Sequence, residues 1–175
     1  IHTPVGDIFF FYITWGGDGI LIGIVCFVFL FVRLRYGILL SLVSFISAFF
    51  VSLLKQFYDE PRPSRYFAGQ DVNWVDGIDL YANHSFPSGH AAAAFTMFLL
   101  MSFFFNNKSL TAVFFVLALL VAISRVYLFQ HFLFFFWVGS LCGVVFGTIL
   151  FHLIMITPLF KNKTWHNWSL LKSPN

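Results

Sequence analysis

Two histidines and three cations, spread over residues 55–131, carry the chemistry this sequence suggests. Lys55 is followed after six residues by Arg62-Pro63. Pro87-Ser88-Gly89-His90 leads straight into Ala91-Ala92-Ala93-Ala94-Phe95, and Ser124-Arg125 is followed after five residues by His131. Lys55, Arg62 and Arg125 supply positive charge, the two arginines as planar forks that match paired phosphoryl oxygens. Ser88-Gly89 at a helix start would offer free backbone N–H groups beside the positive end of the helix dipole. Gly89 would let an anion approach the backbone closely. His90 and His131 would supply what phosphoryl transfer otherwise lacks, a nucleophile and a proton donor. No acidic metal cage is visible among these pieces, so the expected route uses neither metal nor cofactor.

Each piece also has an ordinary alternative. Pro-Ser-Gly before an alanine run suits a plain helix start. Lys55 and Arg62 flank Asp59 and Glu60, as a solvated ion cluster would. A single cation at a membrane edge can snorkel toward lipid head groups, and His131 among phenylalanines could be a packed core residue. His2, His152 and His166 read as structural or surface residues, and His84 has no role that spacing assigns.

These residues must be positioned by membrane helices. A crossing needs about 20 apolar residues, and five segments approach that: about 17–32, 37–57, 90–105, 110–128 and 132–157. The first is short and follows Phe9-Phe10-Phe11-Tyr12-Ile13 and the break Gly16-Gly17-Asp18-Gly19, so an interfacial or half-inserted helix is expected before it. The expected fold is an all-α, polytopic helical bundle of five full spans plus that partial helix, one domain over 1–175. Because the chain begins with Ile1, an upstream segment is also expected.

Charge orients the bundle. Arg33, Arg35, Lys108, Lys161, Lys163 and Lys172 lie in short connections and the tail, which marks that side as cytoplasmic. The outer loop 58–89 holds five of the seven acids, Asp59, Glu60, Asp71, Asp76 and Asp79. Lys55, Arg62, Arg65 and Arg125 break the rule by standing at the outer face, beside His84, His90 and His131. Charges near a membrane are costly unless they serve something.

Composition excludes other classes. The chain is 59% hydrophobic, 22% aromatic and 10% charged, far below the roughly 25% charged of a soluble domain. A formal charge of +3 without a basic run gives no nucleic-acid surface. Cys26 and Cys142 sit in apolar stretches and do not form a disulfide scaffold.

Lys55-x6-Arg62-Pro63, Pro87-Ser88-Gly89-His90 and Ser124-Arg125-x5-His131 together resemble the signature of the type 2 phosphatidic acid phosphatase (PAP2) superfamily. That family includes lipid phosphatases, undecaprenyl pyrophosphate phosphatases, lipid A phosphatases and vanadium haloperoxidases; composition excludes its soluble members. The resemblance implies that Lys55, Arg62 and Arg125 bind phosphate with Ser88 and Gly89. It implies that His131 forms a phosphohistidine, and that His90 protonates the leaving group and then activates water. It further implies a six-helix arrangement, a phosphorylated lipid substrate of the lipid A or undecaprenyl pyrophosphate kind, and a bacterial inner membrane with the site facing the periplasm or exterior. Tyr66, Phe67, Trp74 and Tyr81 of the outer loop would select the lipid.

The family pattern departs at one place. Its third motif carries an aspartate four residues after the nucleophilic histidine, where this chain has Phe135. In serine-protease triads, losing such an orienting carboxylate costs about 10⁴ in kcat. A replacement would have to come from Asp18, from the loop 58–89 or from a backbone carbonyl. The binding half of the site is complete and the catalytic half is expected to be impaired. A non-catalytic binder of phospholipid head groups is the competing reading; a transporter is less consistent with charges confined to one interface.

Overall fold

The computed structural model describes residues 2–72, 74–161 and 169, and its elements are helices. Thr3 caps α1 (Pro4–Ile13), its hydroxyl accepting from the Gly6 N–H with Pro4 in the first turn. A 3₁₀ turn, Thr14–Gly17, follows. Asp18 then caps α2 (Gly19–Val32), its Oδ1 accepting from the Ile20 N–H at 2.8 Å. The two helices meet at 54°. None of the α1 residues is buried, and Val5, Ile8, Phe9 and Tyr12 are exposed, as suits an apolar helix lying in lipid. The 14 residues of α2 reach only about 21 Å. The segment expected as the first full crossing therefore attains span length only together with α1, across the bend.

The remaining helices are α3 (Leu34–Tyr58), α4 (Pro63–Tyr66), α5 (Gly89–Phe105), α6 (Lys108–Tyr127), α7 (Leu133–Met155) and α8 (Pro158–Lys161). Among the described residues, α3, α6 and α7 are long and apolar enough to cross a bilayer unaided. With 17 residues, α5 stands at the lower limit. Its shortness is affordable because it is the bundle's centre: Ala91, Ala92, Ala94, Thr96, Met97 and Leu100 are all buried. Two asparagines make the sharp α5–α6 turn. Asn106 takes the left-handed conformation that ends α5, and the Asn107 Oδ1 accepts from the Ser109 and Leu110 N–H groups.

Small residues set the helix spacing. Without a hydrophobic drive between helices in lipid, close backbone packing holds them together. Gly139, Gly143 and Gly147 form a stripe on α7 that lies against α5. A Cβ on Gly139 would collide with the Ser88 carbonyl oxygen, and one on Gly143 with that of Ala92. The Ser47 and Thr96 hydroxyls meet at 3.2 Å between α3 and α5, and the Thr96 Oγ1 donates to the Gly143 carbonyl. At the other end Tyr36 stacks on Phe104 with ring centroids 4.3 Å apart.

The described residues of the loop 58–89 are anchored by side-chain contacts. Trp74 packs edge-on against Phe129, Tyr66 packs against Phe132, and the Gln130 Nε2 donates to the Asp79 carbonyl. Of the expected selector aromatics, Tyr66, Phe67 and Trp74 thus dock on the turn between α6 and α7.

A methyl group on the glycine stripe has no room, so Gly143→Ala should cost about 1–3 kcal/mol through overpacking. Its melting temperature in detergent should fall by several degrees. Gly23→Ala, where the new Cβ meets nothing within 4 Å, should melt like the parent or higher. Equal melting of the two variants would remove the stripe as the determinant of helix spacing.

Candidate active site

Helix ends bring the expected residues to one end of the bundle. Lys55 stands in the last turn of α3, Ser88 caps α5, Gly89 and His90 open it, and Arg125 stands in the last turn of α6. Arg62 precedes α4, and His131 lies in the turn before α7. Lys55, Arg62 and Arg125 all act electrostatically on both His90 and His131. A Cβ on Gly89 would touch the Lys55 side chain at 3.3 Å, so the amine lies over the first backbone N–H groups of α5.

Each cation is held by neutral oxygen. The Lys55 Nζ donates to the His84 carbonyl at 3.0 Å. The Arg62 Nε donates to the Asn83 carbonyl at 3.0 Å and its Nη1 to the Gln130 Oε1 at 2.7 Å, while Tyr81 lies 5.1 Å beneath the guanidinium. The Arg125 Nη1 donates to the Thr14 Oγ1 at 2.7 Å, and its buried Nε makes no hydrogen bond. Among the described residues none of the three pairs with a carboxylate. Positive charge is therefore oriented but not paired with a carboxylate among the described residues. A phosphoryl group matches that demand in charge.

His131 is buried, with 2% of its surface exposed. Its Nδ1 lies 2.6 Å from the Ser85 carbonyl oxygen. A carbonyl can only accept, so Nδ1 carries the hydrogen and Nε2 keeps its lone pair. Burial, then Lys55, Arg125 and Arg62, hold the imidazole pKa well below its usual 6.5. The ring is thus neutral and aimed.

Phe135 stands in the first turn of α7, whereas His131 precedes that helix, so the two are not neighbours on one helical face. The Phe135 ring packs on Phe86 at 5.2 Å and on Phe132 at 5.4 Å. Its backbone is used elsewhere: the Ser88 N–H donates to the Phe135 carbonyl at 3.0 Å. That bond ties the start of α5 to the start of α7. Of the substitutes for the missing aspartate, a backbone carbonyl of the loop 58–89, that of Ser85, is the one that meets His131.

Sequence reasoning did not find Thr14, Ser85 or Gln130, which support Arg125, His131 and Arg62. Their types are ordinary, and only the fold brings them to the site. The spacing of Gly139, Gly143 and Gly147 was a readable signal for close helix packing. His84 bridges the loop to α3, its Nδ1 3.0 Å from the Asp59 Oδ1 while its carbonyl holds Lys55. Groups of three or more His, Cys, Asp or Glu able to hold a metal are absent among the described residues.

Comparison with known proteins gives a consistent result. The model of the PAP2 superfamily matches residues 35–157. The crystal structure of LpxE from Aquifex aeolicus superposes with a TM-score of 0.77 at 29% identity, covering 86% of this chain and 88% of that one. That of a transmembrane PAP2-type phosphatidylglycerolphosphate phosphatase from Bacillus subtilis gives 0.73 at 25% identity, covering 90% of this chain and 81% of that one. No curated protein matches the sequence. Since the matched region spans most of the chain and runs through all three motifs, the chain belongs to the PAP2 superfamily, as an integral membrane protein.

Proposed function

We propose that this chain hydrolyses a phosphate or pyrophosphate ester of a membrane lipid through a phosphohistidine on His131. The observation that carries this reading is the Ser85 carbonyl on the His131 Nδ1, which leaves the Nε2 lone pair free in a cluster of three cations. Nε2 attacks phosphorus while the phosphorus–oxygen bond to the lipid breaks, and the departing oxygen takes the proton of His90. Water then attacks the phosphohistidine, returns a proton to His90, and the phosphorus–nitrogen electron pair goes back to His131. Lys55, Arg62 and Arg125, with the N–H groups at Ser88 and Gly89, hold the equatorial oxygens through both steps. No step calls for a metal.

A cavity of about 630 Å³ between α2, α3 and α5 begins at Lys55 and Gly89. It passes Val51, Ala48 and Ser44 and ends near Ser41 and Leu30. The walls are mostly apolar and Lys55 is the one cation of the cluster that lines it, which suits a lipid whose phosphate sits at Lys55 while its chains descend between helices. The basic short loops at the opposite end support an outward-facing site, the periplasmic side in a bacterial inner membrane. Lipid A-type phosphoglycolipids and undecaprenyl pyrophosphate both fit that side. Phe135 leaves the His131 ring oriented by a carbonyl but without a carboxylate to stabilise its developing charge, which lowers turnover without removing it.

Phosphate release from both lipids, measured in detergent, should persist in excess chelator. Arg125→Ala should raise the lipid Kd at least about tenfold, as loss of a charge-assisted fork does. His131→Ala should abolish release while changing Kd only a few-fold. Equal weakening by both variants would make His131 part of the anion cradle and favour the non-catalytic binder.

Nitrogen-15 imidazole spectra of the lipid-free protein should show His131 as the Nδ1–H tautomer, still neutral well below pH 6.5. A ring that protonates near 6.5, or that carries its hydrogen on Nε2, would contradict the proposed nucleophile.

A further inference from the structure

We infer that Asp18 is a positioning residue for His90, holding and charge-balancing its imidazolium in both halves of the reaction; this rests on the phosphohistidine reading above. Asp18 lies outside residues 35–157, the region shared with the family model, and belongs to the bend between α1 and α2. Its two oxygens have different tasks. Oδ1 accepts from the Ile20 N–H and so fixes the carboxylate at the head of α2. Oδ2 is turned to the site, 3.9 Å from the His90 Nε2.

The bend is pressed against His90. A Cβ on Gly17 would stand 2.5 Å from the His90 carbonyl oxygen and 2.9 Å from its Cβ. The residue before Asp18 therefore sets the separation of carboxylate and ring. The neighbouring Thr14 holds Arg125, so one short turn serves two members of the site.

The electrostatic need is plain. His90 faces Arg125 from α6, Lys55 from α3 and Arg62 from the outer loop, all positive. In the first half-reaction it must arrive protonated, and in the second it must accept a proton from water. Three cations oppose that charged form each time. Of the described carboxylates, Asp7 is engaged by Tyr127 and His2, and Asp59 by His84. Asp18 is the one that reaches both His90 and the field of Arg125. It stabilises the imidazolium without touching the phosphate.

Asp18→Asn tests this, because asparagine caps a helix as well as aspartate and keeps the shape while removing the charge. Asp18→Ser, a shorter cap, is the second variant. Both are compared with the parent and with His90→Ala on a lipid alkyl phosphate and on an aryl phosphate with an acidic phenol leaving group. For the alkyl substrate kcat should fall about tenfold or more in each Asp18 variant, with KM within about threefold. Single-turnover phosphoenzyme formation from the aryl substrate, which needs little protonation, should change less than about threefold. Melting temperatures should stay near the parent's. Loss of the same size on both substrates, or a parallel fall in melting temperature, would make Asp18 merely structural and overturn the inference. Unchanged kcat in the variants beside an active parent would overturn it too. A parent that releases no phosphate fails at the proposed function, separately from Asp18.

Discussion

The start of α5 is pinned to the start of α7, and the geometry of the site follows from that seam. Gly139 brings the backbone of α7 against the Ser88 carbonyl, and the Ser88 N–H donates to the Phe135 carbonyl. Backbone contact of this kind has no rotamer freedom. It fixes where the first turn of α5 points, and with it Gly89, His90 and the N–H groups that face the cation cluster. The turn 128–132 leads directly into the same end of α7, so His131 is positioned from the same seam.

Around this seam three positive charges are gathered, and among the described residues none of the three is paired with a carboxylate. A protein that only needed stability would pair them, because uncompensated charge at a membrane edge is costly. Here Lys55, Arg62 and Arg125 are steered by the His84 and Asn83 carbonyls, the Gln130 amide and the Thr14 hydroxyl. Neutral acceptors orient a donor while leaving its charge available to a ligand. Burial first, and then the same field, hold the His131 imidazole pKa below its usual value, which favours the neutral form that the proposed nucleophile needs. Binding and activation are thus two consequences of one charge arrangement.

Phe135, where the family pattern expects an aspartate, would separate two tasks that a carboxylate performs together. One is to select the tautomer, and the Ser85 carbonyl does this at 2.6 Å. The other is to compensate the positive charge that develops on the ring, which a carbonyl dipole does only weakly. Phe135 itself joins Phe86 and Phe132 in an aromatic cluster beside the loop that carries Ser85. The replacement is coupled to the packing that supplies its substitute.

The sequence by itself determined the class of fold and named the candidates for the reacting groups. Apolar length set the helices, because a bilayer demands about 20 apolar residues per crossing and tolerates few charges. Lys55, Arg62, His90, Arg125 and His131 were legible because their types are improbable at a membrane edge and their spacing repeats a known pattern. The length of α2 was not legible, since the Gly-rich break at 16–19 shows that a helix stops but not the angle at which it resumes. Ser85, Thr14 and Gln130 were invisible for a different reason. Each acts through a single hydrogen bond to a residue 46, 111 or 68 positions away. A lone carbonyl or hydroxyl leaves no periodic or compositional trace, and only tertiary contact decides which of many such groups meets the imidazole or the guanidinium.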